Sequence, residues 1–301
     1  MFEIPSFPPP GKLVDIGTHK LHMHSQGEGT PVVILDAGGW DNVLAWREIQ
    51  PEFAKFTQVI AYDRSGLGWS ERGPNLISRD DAVAELHAFL TSAQVSGPYV
   101  LVGHSLGGVH VLMFAQAYPE LTAGLVLVDG AHENIYSEWC LSVPGYLDWF
   151  AGQIQMFEEL SQKPHHEIVA HFLGKSVSGV GELSEVQQIA FDRLRPTHMA
   201  TIAEMAKSFT SPPTPLEHVF RSLGDLPLIV LTASKSIEWG LGEEDNLKMS
   251  EVYRDVQVKI AGLSSRSKQI FVQDAGHYIQ NDQPQVVIDA IREMVETVRS
   301  K

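Results

Sequence analysis

Cysteine is nearly absent: Cys140 stands alone in 301 residues. One thiol cannot close an internal disulfide, and without a Cys-x-x-Cys pair a cysteine-built structural zinc site is excluded. Basic residues are scarce too. There are 22 Lys and Arg against 37 Asp and Glu, for a formal net charge of −15. A nucleic-acid partner needs a basic surface to neutralise phosphates, so that class is set aside. The global balance does not define a local site, which can differ from it. No apolar run approaches the roughly 18 residues of a membrane-crossing helix. Residues 1–11 are Pro-rich and lack the basic start and apolar centre of a secretory leader. A reducing, cytoplasmic setting is therefore the expectation. No internal repeat is visible, and composition does not reveal the oligomeric state.

Apolar residues make up 44% of the chain and charged residues 20%, enough for a large buried core. Leu13–Ile16 and Lys20–His24 flank Gly17-Thr18 and read as an edge hairpin. Continuous apolar runs mark strands buried on both faces: Pro31–Leu35, Gln58–Tyr62, Tyr99–Val102, Leu125–Val128, Leu226–Leu231 and Gln269–Val272. Helical patterns alternate with them. Asn42–Phe56 reads as a helix bent or broken at Pro51. Ser78-Arg79-Asp80-Asp81 caps a second, whose apolar face is Val83, Leu86, Phe89 and Leu90. Pro284 opens the last, with Val287, Ile291, Met294, Val295 and Val298 on one face. Strands alternating with helices predict an α/β fold, a mostly parallel sheet with helices on both faces. The rhythm breaks over 133–222, a stretch rich in aromatics and methionines that closes with Ser211-Pro212-Pro213-Thr214-Pro215. It reads as a helical cap inserted into a core formed by 1–132 and 223–301.

Gly103-His104-Ser105-Leu106-Gly107 follows a strand and precedes a helix, which is the setting that a G-x-S-x-G nucleophile turn requires. Small residues two before and two after Ser105 let strand and helix pass closely. The hydroxyl then rises over the sheet at the positive end of the following helix. Serine needs a base to take its proton. Among 13 histidines, His277 is singled out by its place in a loop after the last strand, behind Gly276 and ahead of a helix. An exposed loop imidazole is the plainer alternative. The imidazole needs a carboxylate to orient it. Asp129, at the end of the strand after Ser105, is the first candidate. Glu238, or Glu243, Glu244 or Asp245, remain open alternatives, and Asp129 could simply terminate its strand. Two backbone donors must hold an oxyanion. Leu106 supplies one, and Gly39, in Asp36-Ala37-Gly38-Gly39-Trp40, is the candidate for the other. Trp40, His104, Trp139 and Trp149 are candidate substrate contacts.

Tyr62-Asp63-Arg64-Ser65-Gly66-Leu67-Gly68-Trp69-Ser70 matches neither a Walker nor a Rossmann spacing and reads as a turn that buttresses the site. His22 and His24 share one face of a strand. With no acidic or cysteine cluster beside them, an ordinary edge strand is the better reading, and His165, His166 and Glu167 within 133–222 are likewise not read as a metal site.

Taken together, these motifs resemble the α/β-hydrolase superfamily over nearly the whole chain except 133–222. The matching pieces are Asp36–Gly39, Asp63-Arg64-x-Gly66-x-Gly68-x-Ser70, Gly103–Gly107, Leu127-Val128-Asp129 and Gly276-His277. Two departures stand out. Ala37-Gly38 replaces the frequent His-Gly, and Ala233-Ser234-Lys235-Ser236 lacks the Gly-x-x-Asp that usually carries the acid after the seventh strand. Pancreatic-lipase-like and zearalenone-hydrolase-like members carry it after the sixth, a precedent for Asp129. A serine in the turn separates the chain from the dehalogenases and epoxide hydrolases, whose nucleophile is an aspartate. The resemblance implies a serine hydrolase of small to medium apolar carboxylic esters or lactones, with no metal or organic cofactor. A thioesterase, amidase, acyltransferase or carbon–carbon hydrolase would use the same residues, and a receptor could retain them with slow turnover.

Overall fold

A computed structural model of the chain describes residues 7–74, 78–173, 189, 192–209, 221–237 and 240–300. Glu238, the Pro-rich segment 211–215 and the start of the N-terminal arm lie outside the described residues. Eight strands form one sheet: β1 (Lys12–Asp15), β2 (Lys20–Gln26), β3 (Val33–Asp36), β4 (Val59–Tyr62), β5 (Tyr99–His104), β6 (Thr122–Val128), β7 (Leu228–Ala233) and β8 (Ser267–Val272). Their order is β1-β2-β4-β3-β5-β6-β7-β8. β1 pairs antiparallel with β2, and β2 antiparallel with β4. Every other pairing is parallel.

The α-helices with described bounds are α1 (Gln50–Phe53), α2 (Arg79–Ser92), α3 (Leu106–Ala117), α4 (Ile135–Ser142), α5 (Tyr146–Ser161), α6 (His165–Leu173), α7 (Pro196–Phe209), α8 (Glu243–Ala261), α9 (Ile279–Asp282) and α10 (Pro284–Arg299). Alternation along the strands divides the core into two layers, because successive side chains leave a strand on opposite faces. Val33, Leu35, Val100, Val102, Val126 and Val128 pack with Val287, Ile291, Met294 and Val295 of α10. Ile34, Leu101, Leu125 and Leu127 pack with Leu86 and Phe89 of α2, Phe114 of α3, and Val256 and Ile260 of α8.

Two local expectations are corrected. Asn42–Phe56 is not one helix. The Asn42 side chain caps a short 3-10 turn, Val43–Trp46, and Pro51 sits in the first turn of the separate α1. Proline there has no N–H to lose, so it starts a helix rather than bending one. The 19-residue α8 has no counterpart in the sequence reading, although Met249, Tyr253, Val256 and Ile260 recur at helical spacing and are buried. At α2, by contrast, Ser78 and Asp81 form the expected reciprocal cap. Between β6 and β7 the described residues contain helices and no strand. α5, α6 and α7 share an apolar cluster of Phe157, Leu160, Ile168, Met199 and Ile202, into which Leu67 from the loop after β4 inserts. No described helix is long and apolar enough to cross a membrane.

Candidate active site

The carboxyl ends of β5, β6 and β8 converge at one edge of the parallel sheet, the place where such sheets bind ligands. Ser105 joins β5 to α3 with φ +50° and ψ −119°. A side chain held there costs about 1–3 kcal/mol, which the surrounding structure must outweigh. The glycines explain how the turn closes. A Cβ on Gly103 would lie 2.5 Å from the Gly107 carbonyl, and one on Gly107 only 2.3 Å from the carbonyl oxygen of Asp36. Backbone, not side chain, occupies those spaces, so no rearrangement of rotamers could make room. The Ser105 carbonyl accepts from the Gly108 and Ala131 N–H groups, both at 2.9 Å, which locks the turn to the residues after β6.

His277, five positions beyond β8, donates from Nδ1 to Asp129 Oδ2 at 2.7 Å. Asp129 follows β6 and is almost fully buried. Its other oxygen accepts from the Ala233 N–H at 3.0 Å and Gln257 Nε2 at 2.8 Å. Because a carboxylate only accepts, the pairing puts the imidazole proton on Nδ1 and leaves Nε2 as an acceptor. The Tyr253 hydroxyl donates to the Asp129 backbone carbonyl at 2.8 Å and hydrogen-bonds the Ser105 side chain. The His277 loop is tied down on both sides. Its carbonyl accepts from His104 Nε2 at 2.9 Å, and the Gly276 N–H donates to Asp282 at 2.7 Å. Burial, reinforced by the nearby His277, holds His104 well below the usual histidine range, so it is a neutral structural imidazole.

Ser105 and His277 line a cavity of about 580 Å³ together with Gly39, Trp40, His104, Leu106, Trp139 and Trp149. Asp129 stands behind His277. The loop carrying Gly39 is gripped by Arg64, which pairs with Asp36 and donates to the carbonyls of Ala37, Gly38 and Gly39. In a trans peptide the N–H points opposite its carbonyl. Drawing the Gly38 and Gly39 carbonyls toward Arg64 therefore turns the Gly39 and Trp40 N–H groups away from it. Burial alone would raise the Asp36 carboxyl, but Arg64, His110 and Tyr62 hold it below its ordinary value. Asp63 accepts from the Val43 and Trp69 N–H groups and from His22 Nδ1, so the motif after β4 braces the site.

The model of the alpha/beta hydrolase family matches residues 32–290, from the start of β3 into α10. The chain belongs to that family. It is 25% identical over 309 residues to mouse epoxide hydrolase 4, covering 93% of this chain and 80% of that protein. A match to "Probable transporter efuK" of Hormonema carpetanum, 30% identical over 146 residues, spans 46% of this chain and only 21% of that one. Among solved structures, a thermophilic esterase from Thermogutta terrifontis superposes with TM-score 0.69 at 21% identity, covering 96% of this chain and 99% of its own.

Within the protein, close packing at this loop falls on Gly38. A Cβ on Gly38 would lie 2.8 Å from Asp41 Oδ2 and 3.0 Å from His104 Nδ1, whereas one on Gly39 meets only Leu106 at ordinary distance. Glu243, Glu244 and Asp245 occupy the first turn of α8, where acids favour the helix dipole. His22 bonds Asp63 at 2.8 Å in the core, and the strand that carries it and His24 lies between β1 and β4 rather than at the sheet edge. No group of three potential metal ligands occurs among the described residues. Sequence reasoning missed Tyr253 and Gln257. Their only signal was the unread helical pattern of α8.

Proposed function

We propose that this hydrolase cleaves carboxylic esters or lactones through an acyl-enzyme. The observation that carries the reading is the 2.7 Å contact from Asp129 to His277, which lines a cavity together with the strained Ser105. Ser105 attacks the carbonyl carbon while His277 Nε2 takes its proton. Asp129 holds the imidazole in that tautomer and stabilises the imidazolium. The N–H groups of Gly39 and Leu106 hold the oxyanion. His277 then protonates the leaving alcohol, and water, activated by the same nitrogen, releases the acid.

A hydroxyl nucleophile also bears on the similarity to an epoxide hydrolase. Serine attack on an epoxide would leave an ether that water does not cleave, whereas attack on an ester leaves an ester that it does. In this reading 1–132 and 223–301 act as the catalytic core and 133–222 as a cap. Trp40, Trp139 and Trp149 form an apolar wall for the acyl or alcohol group. Intact mass after treatment with a fluorophosphonate, alongside p-nitrophenyl ester assays, tests the proposal. One adduct at Ser105 with ester turnover is expected, and Ser105→Ala should abolish both. An Ser105→Ala protein that still turns over the ester at the parental rate overturns it.

A further inference from the structure

Arg79 opens α2 directly after its capping residue, and its side chain lines the same cavity as Ser105. The guanidinium is anchored on one side. It donates from Nη1 to the backbone carbonyl of Glu133 and lies 5.6 Å from the centroid of the Phe209 ring. Among the described residues no carboxylate comes within ion-pair distance of it. Burial lowers its pKa, with Glu133 and Asp80 opposing that effect at longer range. A guanidinium carries five N–H donors, and the Glu133 carbonyl engages one side of this one. His132, beside it in the wall, is pushed down to about 4 by burial and by the charges of Arg79 and Lys259. That end of the cavity therefore holds a guanidinium and a neutral imidazole, with Glu133, its carboxyl raised by burial, in the same wall.

A partly desolvated cation in an aromatic cavity is costly unless an anion meets it, and nothing in the acyl-transfer steps above uses this one. The planar fork of arginine fits a carboxylate through two parallel bonds. The same stretch of chain holds both it and the nucleophile's turn. The Ser105 carbonyl is bonded to Ala131, and Arg79 grips Glu133 two residues further along the same stretch.

We propose that Arg79 is a specificity residue, and that the preferred esters or lactones carry a carboxylate a few bonds from the scissile carbonyl. This rests on the serine-hydrolase reading of the same cavity. Two esters of equal chain length separate the charge from the apolar contact: the mono-p-nitrophenyl ester of glutarate, and p-nitrophenyl valerate, with a methyl where the first has a carboxylate. After subtraction of uncatalysed hydrolysis, the wild type should favour the glutarate ester in kcat/KM by about tenfold or more, chiefly through KM. Arg79→Gln should bring that ratio toward one, and Arg79→Lys should restore part of it. A ratio at or below one in the wild type, or a preference unchanged in Arg79→Gln, overturns the proposal.

Binding to Ser105→Ala protein reads the subsite without chemistry. Monomethyl glutarate should raise its melting temperature more than methyl valerate does, and adding Arg79→Gln should remove the difference. That outcome sustains the subsite even if neither p-nitrophenyl ester is cleaved, a result that would count against the catalytic reading alone. Equal shifts with both ligands, or a difference that survives Arg79→Gln, overturn the subsite.

Discussion

Replacing Asp129 with asparagine changes one atom, and the structure specifies how the site must respond. The Ala233 N–H, 3.0 Å from Oδ1, can only donate. An asparagine at 129 must therefore keep its carbonyl oxygen toward Ala233. Its amide nitrogen then stands where Oδ2 now lies 2.7 Å from His277 Nδ1. Two donors would face each other, so the imidazole moves its proton to Nε2, the nitrogen that has to accept the proton of Ser105. An enzyme with this wrong tautomer is expected to lose about 10⁴ in kcat near neutral pH. That is roughly 5.5 kcal/mol of transition-state stabilisation. The assay is kcat on a p-nitrophenyl ester, together with the rate of fluorophosphonate labelling, and both should fall in parallel. Circular dichroism melting establishes that the isosteric variant is folded. A folded Asp129→Asn protein within tenfold of the wild type in both rates would refute the reasoning, decisively so if Glu243→Gln, Glu244→Gln or Asp245→Asn caused the loss instead.

Three other outcomes are expected. Gly107→Ala drives a methyl to 2.3 Å from the Asp36 carbonyl and should destabilise the fold by about 3 kcal/mol or more, whereas Gly39→Ala meets only Leu106 and should melt within a few degrees of the parent; similar melting of the two variants would contradict the packing argument. Tyr253→Phe leaves the buried Asp129 carbonyl without its 2.8 Å donor and should cost about 1–3 kcal/mol in urea unfolding, with a smaller loss of kcat than Asp129→Asn. Burial, with Asp81 adding to it, raises the Glu85 carboxyl from its ordinary 4.5 to about 7. The folded protein therefore binds that proton more tightly than the unfolded chain does, and stability falls as pH rises from about 4.5 through 7, by at most about 3 kcal/mol. Glu85→Gln should raise the melting temperature at pH 8 by several degrees and leave it nearly unchanged at pH 4; an equal effect at both pH values would refute the assignment.

Much of this protein is set by local sequence. The apolar runs of β3 to β7 can only be strands covered on both faces, and the Ser78–Asp81 cap and Pro284 start helices with groups within one turn. The turn at Ser105 is legible for the same reason: Gly103 and Gly107 sit two residues from it, and the close backbone approach they permit is a short-range demand. The partner of His277 is a different matter. Asp129 lies 148 positions away; its place at the end of a strand makes it the first candidate but does not exclude Glu238, Glu243, Glu244 or Asp245. Only the parallel register of β6, β7 and β8 brings the ends of those strands together, so that Asp129 Oδ2 meets His277 Nδ1. Arg64 is likewise an ordinary residue of a turn until β4 is laid beside β3, where its guanidinium reaches three carbonyls of the Asp36–Gly39 loop. Tyr253, Gln257 and Arg79 enter the site from helices whose own sequence patterns speak only of caps and apolar faces. Hydrogen bonds and charges act across a few ångströms whatever the separation along the chain, so these relations exist only once the sheet has set its strand order.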